Sequence, residues 1–365
     1  MTRPTSAIIN TQALRDNFSL AQQLAPNAKS MPIVKANAYG HGMIKTAQAL
    51  ADLAPAFGVA CIEEALELRE ANIKQPILLL EGNHSADELQ IAEQQNLWLM
   101  LENHTQLQAI LDAKLAAPLT VWIKLDTGMH RLGFAPEDAK QVFAQLNNSP
   151  NIAQTPVLAS HFACADNLDN PLTQQQYQHF KQLAESLGEP HLNTSLSNSA
   201  AILGWPEIND QWQRPGYMLY GASPFDRPQT HADQLQPVMH FQSAVISTRS
   251  VAAGQSVGYT ANWTAQRPSR IATIAVGYGD GYPRHAPNGT PVLIQGVKCP
   301  LVGHVSMDMI SVDITHLPTP IEIGEPVTLW GPQLPVNEVA QHCGTIGYEL
   351  LTRMPSRVPR IYKGN

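Results

Sequence analysis

A lysine close to a tyrosine, two glycines and a histidine is the most chemically suggestive group in this sequence of 365 residues. The nine residues VKANAYGHG begin at Val34 and place Lys35 at the end of an apolar run, four residues before Tyr39. A lysine at the mouth of a strand can lose its proton and form a Schiff base with an aldehyde cofactor. The tyrosine hydroxyl and the backbone amides near the glycines can hold an anion. An exposed lysine ahead of a loop is the alternative interpretation.

Predicted strands and helices, which must position this lysine, alternate along roughly the first 230 residues. Short β-rich runs are separated by helical patterns, such as Asn10 to Ala25, which carries its apolar residues on one face. Eight such units predict an α/β fold, a (β/α)8 TIM-like barrel, because that fold usually takes about 250 residues. An open doubly wound sheet is the alternative. The predicted strands are 32–35, 57–61, 76–80, 97–101, 120–125, 156–160, 192–196 and a short strand that ends near Arg214.

The barrel prediction can be checked against the polar residues, since active groups of such barrels lie at the carboxyl ends of the strands. Lys35 ends the first predicted strand, residues 126–133 follow the fifth, and His161 follows the sixth. Ser199 comes after the seventh strand, and the run RPGYMLYG from Arg214 comes after the eighth. Proline and glycine there open a short helix whose free amides could receive phosphate oxygens.

The character of the sequence changes between Ser223 and Met239, where a polar, proline-bearing segment indicates a linker. Beyond it, alternating and β-branched runs separated by glycine, proline and asparagine predict a mainly-β domain with one late helical stretch at 337–342. The predicted strands there are 241–251, 256–263, 270–276, 291–294, 301–305, 310–314 and 326–330. We therefore predict a barrel domain over residues 1–232 and a C-terminal β domain over residues 233–365.

Composition narrows the functional classes. The net charge of −7, without a basic run, argues against a nucleic-acid surface. Four widely spaced cysteines indicate neither a zinc site nor a disulfide framework, so no metal is predicted and the cytoplasm is the expected compartment. The amino terminus has no apolar signal region, and no apolar run approaches the ~18 residues of a membrane span.

Eight motifs, in order along nearly the whole chain, resemble those of the bacterial alanine racemases. They are VKANAYGHG at Val34, KLDTGMHRLG at Lys124, SNSAA at Ser197, RPGYMLYG at Arg214, SVGYTANW at Ser256, VGYGDGYPR at Val276, VGHVSMDM at Val302 and SRVPRIY at Ser356. The resemblance implies a barrel that binds pyridoxal 5'-phosphate, a C-terminal β domain, and a head-to-tail homodimer. It also implies interconversion of L- and D-alanine, with the product used for peptidoglycan or the enzyme used in alanine catabolism.

The same resemblance assigns two proton-transfer groups. Lys35 would hold the cofactor and serve one face of the substrate carbon, while Tyr259 of the partner subunit would serve the other face. A half-buried strand tyrosine is the alternative for Tyr259, and a surface ion pair is the alternative for Arg214. Arg214 would face the pyridine nitrogen and, with His161, connect to the tyrosine. The remaining cofactor contacts implied by the resemblance are Tyr39, Ser199, Gly216 and Tyr217.

The resemblance also supplies substrate contacts and a possible modification. Arg131 would reach the substrate carboxylate or the cofactor phenolic oxygen, supported by Lys124 in a carbamylated form. An ordinary ion pair of Lys124, with Asp126 or another acid, is the alternative. The backbone amide of Met307 would bind the substrate carboxylate, with Asp308 and the entrance residue Tyr278 in support. One departure from the family pattern is Ser356, which stands where some members have a tyrosine.

Three other functions stay open on the sequence. A pyridoxal-phosphate carrier without catalytic activity would need only a lone barrel. A fold-related decarboxylase would release carbon dioxide from a basic amino acid. A serine or broad-specificity racemase is separated from an alanine racemase only weakly by these motifs.

Overall fold

The amino-terminal half of the chain alternates strands and helices in a computed structural model that describes residues 3–208 and 210–364. Its strands are β1 (Ser6–Asn10), β2 (Lys29–Ser30), β3 (Phe57–Val59), β4 (Ile77–Leu79), β5 (Leu97–Leu101), β6 (Val121–Lys124), β7 (Val157–Ala159), β8 (Thr194–Ser195) and β9 (Trp212–Gln213). Its helices are α1 (Thr11–Leu24), α2 (Lys35–Tyr39), α3 (Met43–Leu50), α4 (Ile62–Glu70), α5 (Glu88–Gln94), α6 (His104–Asp112), α7 (Ala139–Asn147), α8 (Leu172–Ser186) and α9 (Ser199–Gly204).

Parallel pairing of β2 to β9 forms the predicted (β/α)8 barrel. Strands β3 to β8 make a six-stranded sheet in chain order, and β2 pairs with β9. The ring closes where the Gly58 N–H donates to the Pro32 carbonyl at 3.0 Å and the Arg214 N–H donates to the Ser197 carbonyl at 2.9 Å. The fold class is thereby confirmed, and the open doubly wound alternative is wrong. Regular pairing in the first strand lies earlier than predicted, at Lys29–Ser30, with Ile33 forming only an isolated bridge to Gly58.

Side chains of alternate residues fill the inside of the barrel. Met31, Leu78, Met100, Trp122 and Trp212 belong to one buried cluster, whereas residues next to them along the strands pack against the surrounding helices. This separation follows from the two-residue period of a strand, which points successive side chains to opposite faces. The packed interior leaves the carboxyl ends of the strands as the place for a cavity.

The carboxyl-terminal part is mainly β, as predicted. Its strands are β10 (Met239–Val251), β11 (Ser256–Val257), β12 (Trp263–Thr264), β13 (Ser269–Ile274), β14 (Pro291–Ile294), β15 (Val297–Pro300), β16 (Ile310–Asp313), β17 (Pro326–Trp330) and β18 (Arg360–Lys363). Two helices, α10 (Val336–His342) and α11 (Gly347–Thr352), precede the last strand. The predicted strand at 301–305 is wrong, because Leu301 forms only an isolated bridge to Val312. The predicted strand at 256–263 is wrong as a continuous strand, because a 3-10 turn at Tyr259–Ala261 separates β11 from β12. Helix α11 was not predicted.

The first strand of the chain lies in the second sheet and outside the barrel. The eight-stranded sheet runs β15-β14-β17-β10-β1-β18, with β13 added to β10 and β16 added to β13. Strand β1 is antiparallel to β10 and parallel to β18. The predicted boundary after residue 232 stays a prediction, but this pairing assigns residues 6–10 to the C-terminal layer. Among the described residues, no helix has the length and apolar character needed to cross a membrane.

Candidate active site

A cavity of about 560 Å3 lies at the carboxyl ends of the barrel strands. It brings together residues that the sequence places on separate strand ends, as the barrel geometry requires. The predicted site residues that line it are Lys35, Tyr39, Lys124, Arg131, His161, Ser199, Arg214, Gly216 and Tyr217. The cavity therefore gathers the whole barrel half of the predicted site.

Lys35 begins a turn with an unusual backbone. The four residues after it, Ala36 to Tyr39, all have positive φ angles between 50° and 54°, a region that L-residues rarely adopt. The turn is held at its start by Glu64, whose carboxylate accepts the N–H of Ala36 at 2.6 Å and that of Ala60 at 2.8 Å. Because the neighbours fix this costly conformation, the lysine is presented at a defined place in the cavity.

Strand β18 of the eight-stranded sheet supports the other end of the same turn. Arg360 of β18 donates from Nε to the carbonyl of Gly40 at 3.0 Å, and the Tyr362 hydroxyl donates to the carbonyl of His41 at 3.1 Å. Gly40 and Gly42 have φ angles of 80° and 96°, and a Cβ at Gly42 would overlap the Tyr362 hydroxyl. The glycines of the lysine motif thus allow close contact between the two parts of the chain.

Hydroxyl and amide groups form a cradle for an anion beside Lys35. The N–H groups of Gly216 and Met218 both donate to the Ser199 Oγ, at 3.0 and 3.2 Å. A Cβ on Gly216 would lie 2.9 Å from the Tyr39 hydroxyl, so that hydroxyl reaches the same spot. Burial raises the pKa of Tyr39 to about 12 and keeps it a protonated donor. These donors suit a phosphate group, so the residues fit pyridoxal phosphate.

Arg214 is buried and forms hydrogen bonds to residues of the barrel. Only 6% of it is exposed, so the surface ion-pair interpretation is wrong. Its Nη2 donates to the carbonyl of Ser160 at 2.7 Å, and its Nη1 donates to the Ser195 hydroxyl. Burial lowers the pKa of Arg214 to about 10, which still leaves it charged at neutral pH.

His161 lies against this arginine. Its Nδ1 is 3.3 Å from the Arg214 Nη2. Burial, followed by the positive charges of Arg214 and Arg131, holds the pKa of His161 well below its usual value. His161 is therefore neutral at physiological pH, and its Nδ1 can accept from the guanidinium.

Lys124 forms a buried ion pair, one of the two arrangements considered for it. Its Nζ lies 2.6 Å from the Glu102 Oε1, and the two residues are 8% and 5% exposed. Burial lowers the pKa of Lys124 and raises that of Glu102, while their mutual contact opposes both changes. Asp126 is not the hydrogen-bond partner of Lys124. Its carboxylate accepts hydrogen bonds from the backbone N–H groups of residues 128–130, in the loop that leads to Arg131.

The predicted residues of the second domain lie on an exposed surface. Tyr259, Met307 and Tyr278 are 69%, 54% and 40% exposed. Among the described residues, these three and Asp308 are not part of the wall of the Lys35 cavity. Tyr259 occupies a short 3-10 turn, so the half-buried strand interpretation is wrong. Asp308 pairs with Arg357 at 2.8 Å.

Comparison with known proteins decides the family. Models of the alanine racemase N-terminal and C-terminal domains match residues 9–224 and 238–362. The alanine racemase of Pseudomonas taetrolens is 49% identical over 362 residues, and the catabolic alanine racemase of Pseudomonas putida is 48% identical over 362 residues; in both pairs 99% of each chain is covered. The chain belongs to the alanine racemase family.

Solved structures of alanine racemases share the fold throughout. The biosynthetic alanine racemase of Pseudomonas aeruginosa superposes with a TM-score of 0.95 at 47% identity, covering 100% of both chains. The alanine racemase of Bartonella henselae with covalently bound pyridoxal phosphate gives 0.89 at 31% identity, covering 99% of both. The resemblance inferred from the motifs is confirmed, and the chain is an isomerase of this family. Family membership sets aside the lone-barrel carrier and the decarboxylase.

One residue that lines the Lys35 cavity and one that pairs with a lining residue were not predicted. Tyr348 of α11 lines the cavity and stacks on Tyr217 with 3.6 Å between ring centroids. Helix α11 thus supplies a cavity tyrosine in this chain, which has Ser356 before its RVPR run. Glu102 was missed as well, although its place directly after an apolar strand is the same signal that identified His161.

Proposed function

We propose that this protein interconverts L- and D-alanine with pyridoxal 5'-phosphate bound through Lys35. The observation that carries the proposal is one cavity holding the lysine amine, a phosphate cradle and a buried arginine. Family membership and the names of the relatives support the same reaction. When bound, pyridoxal phosphate withdraws electron density from the substrate Cα–H bond and so acidifies that proton.

The donors around Ser199 bind the phosphate of the cofactor, and Arg131 binds a negatively charged group of the substrate or the cofactor. The phosphate would be bound by the hydroxyls of Ser199 and Tyr39 and by the backbone amides of Gly216 and Tyr217. Arg131 binds the substrate carboxylate or the cofactor phenolic oxygen, supported by the Met307 amide and by Asp308 of the partner subunit. Tyr278 narrows the entrance. A small pocket suits alanine, because one extra methylene is worth only ~1–3 kcal/mol and steric exclusion must supply further selectivity.

Two groups move the proton. Lys35 takes or returns it at Nζ on one face of Cα, and the phenol oxygen of Tyr259 from the partner subunit does so on the other face. Exposure of Tyr259, away from its own chain's cavity, supports a head-to-tail homodimer in which each chain completes the other's site. A phenol with a pKa near ~10 needs about 4 kcal/mol of stabilisation to act as a base near pH 7. His161 and Arg214 are the groups we assign to this task.

Arg214 limits the reaction to proton transfer. Its pKa of about 10 keeps the guanidinium charged, so it would donate a hydrogen bond to the pyridine nitrogen of bound pyridoxal phosphate and keep that nitrogen unprotonated. The cofactor would then withdraw less charge from Cα, which would favour return of the proton to Cα over transamination. The cytoplasmic compartment, tolerance for serine, and use of the product in peptidoglycan or alanine catabolism stay predictions.

A mixing experiment tests the shared site. Lys35→Ala and Tyr259→Phe should each abolish or strongly reduce conversion of both enantiomers. Refolding the two variants together should restore about a quarter of the activity, since half the dimers are mixed and each mixed dimer has one intact site. Tyr278→Phe, which removes a phenol from the same surface but keeps both proton-transfer groups, serves as the control: mixing it with Lys35→Ala should add no activity beyond that of the Tyr278→Phe protein in the mixture. If mixing the first two variants restored nothing, the cross-subunit assignment would be wrong.

Exchange of the Cα hydrogen tests the reaction itself. In D2O, the wild-type protein should wash the Cα hydrogen out of both L- and D-alanine. Each washout reports one of the two bases, so Tyr259→Phe should lose it selectively for L-alanine. Washout that is equally fast for both enantiomers in this variant would contradict the role of the tyrosine.

A further inference from the structure

The loop of residues 306–309, which carries Met307, is bonded to a second loop of the same domain. The N–H of Tyr278 donates to the Ser306 carbonyl at 3.0 Å, and the N–H of Gly279 donates to the Met307 carbonyl at 2.9 Å. Among the described residues, no acceptor is bonded to the Met307 N–H. The neighbouring loop therefore holds the peptide groups on both sides of an N–H group that has no partner within the chain.

Two glycines allow this close contact between the loops. A Cβ on Gly277 would overlap the carbonyl oxygens of Ser306 and Met307. A Cβ on Gly279 would lie 2.7 Å from the Nη1 of Arg357 and 3.0 Å from the Met307 carbonyl oxygen. Because glycine has no side chain, an arginine from a distant part of the chain can lie against the same loop.

A buried carboxylate holds two arginines that reach Asp308, the residue after Met307. The Asp280 side chain is 1% exposed; its carboxylate accepts from the Arg3 Nη2 at 2.6 Å and lies 3.1 Å from the Arg357 Nε. The Arg3 Nη2 also donates to the Asp308 carbonyl at 3.1 Å, and the Arg357 Nη2 donates to the Asp308 Oδ1 at 2.8 Å. Asp308 is thus held at its backbone and at its side chain.

We propose that Arg357, oriented by Asp280, is a positioning residue that holds the Met307 N–H of its own chain in place for the active site of the partner subunit. The proposal rests on the proposed function, in which the Met307 amide binds the substrate carboxylate. Arg357 does not touch the substrate and acts through Asp308. Arg3 gives a second support of the same kind.

Burial of Asp280 distinguishes this network from an ordinary surface ion pair. Exposed pairs contribute little, because water screens them and two long side chains must be ordered. The Arg357 side chain is 41% exposed, but one of its partners is the buried Asp280, where an unpaired charge is costly. A planar guanidinium can also bond to two carboxylates in one fixed orientation. Without Arg357, Asp308 and the amide before it would be less well placed.

Loss of this support should change substrate binding and leave the chemical step alone. The substrate carboxylate is the same group before and during proton transfer, so a contact with it contributes equally to the ground state and the transition state. Removing such a contact raises KM and leaves kcat unchanged. Arg357→Gln should therefore raise the KM for alanine about tenfold with kcat nearly unchanged. Arg3→Gln, which loses the bond to the Asp308 carbonyl, should raise it about threefold.

A matched control lies in the same segment. Arg353 pairs with Glu349 at 2.6 Å and is 53% exposed. Arg353→Gln removes the same charge as Arg357→Gln without touching the Met307 loop, so it should leave the KM for alanine at the wild-type value.

Mixing with Lys35→Ala shows which subunit is affected. In a mixed dimer the intact lysine belongs to the Arg357→Gln chain, and the second domain that completes its site comes from the Lys35→Ala chain, where Arg357 is present. Refolding Arg357→Gln with a large excess of Lys35→Ala should therefore return the KM to the wild-type value. Arg357 also lies shortly before β18, which supports the Lys35 turn of its own chain. An effect transmitted through β18 would keep the KM raised in mixed dimers.

Binding can also be measured without turnover. Propanoate is alanine without its amino group, so it presents the same carboxylate but cannot react. Its dissociation constant, measured with the holoenzyme by ligand-observed NMR, should rise about tenfold in Arg357→Gln and stay unchanged in Arg353→Gln.

Two results would overturn the proposal. The first is an unchanged KM with unchanged propanoate affinity in Arg357→Gln; the second is a raised KM that an excess of Lys35→Ala does not restore. If Arg357→Gln fails to fold, the same measurements on Arg3→Gln decide. Absence of alanine turnover in the wild type, or of recovery when Lys35→Ala is mixed with Tyr259→Phe, would instead defeat the proposed function, so the two failures can be told apart.

Discussion

His41, in the turn that follows Lys35, should make the protein lose stability in weak acid. The residue is 0% exposed, and its Nδ1 lies 2.9 Å from the carbonyl of Tyr39 and 3.1 Å from that of Ala38. Its Nε2 has no hydrogen-bond partner among the described residues. Burial, opposed by these contacts and aided by the charge of Arg360, lowers the pKa of His41 to about 4 from 6.5.

The sign and size of the effect follow from linkage. Because the folded pKa is the lower one, the unfolded chain binds the proton first as the pH falls. The stability is fully present above pH 6.5 and is lost progressively down to about pH 4, by about 3 kcal/mol in all. Between pH 7 and pH 5 the loss is about 2 kcal/mol.

Urea unfolding at one protein concentration measures this loss. His41→Asn keeps a side-chain amide that can donate to the same carbonyls but does not titrate. The free energy of unfolding of the wild type should fall by about 2 kcal/mol more than that of His41→Asn between pH 7 and pH 5. His191→Asn, at an exposed position, should behave like the wild type. Parallel losses in the wild type and His41→Asn would refute the reasoning.

Three further predictions concern packing and binding. Gly42→Ala should destabilise the fold by about 3 kcal/mol, because its Cβ would overlap the Tyr362 hydroxyl; Gly254→Ala, which shares a positive φ but meets nothing within 4 Å, should cost only about 1 kcal/mol in the same denaturation assay. Asp280→Asn should lower the thermal midpoint by an amount equivalent to about 3 kcal/mol, since its 1%-exposed carboxylate is held by two arginines; an unchanged midpoint would contradict this. Ser199→Ala should weaken pyridoxal phosphate binding about tenfold in a fluorescence titration of the apoprotein, and equal affinity would argue against the cradle.

The barrel and its half of the site were predictable from local sequence. Most of the barrel strands lie in short apolar runs, and polar residues that follow these runs, such as Lys35 and His161, line the cavity. Arg214 could be placed in the same way, because proline and glycine follow it directly. These signals are local, since a strand's apolar pattern and its polar end lie within a few residues of each other.

Pairings over long sequence distances were not predictable. Nothing near residues 6–10 shows that β1 pairs with β18, because that register is set by partners more than 300 residues away. The Glu102 contact with Lys124 likewise depends on which strands become neighbours and on how deeply both side chains are buried. Tyr348 was missed because the six-residue helix that carries it is too short to show a clear helical period.

The support of the Lys35 turn by β18 has a consequence for biosynthesis. The contacts from Arg360 to Gly40 and from Tyr362 to His41 join residues separated by 320 and 321 positions. On the ribosome, Lys35 is therefore made early, while the residues that support its turn follow only after more than 300 further codons. A nascent chain cut short before residue 360 would carry the lysine on an unsupported, strained loop. Prematurely terminated chains should accordingly sequester little pyridoxal phosphate in the cell.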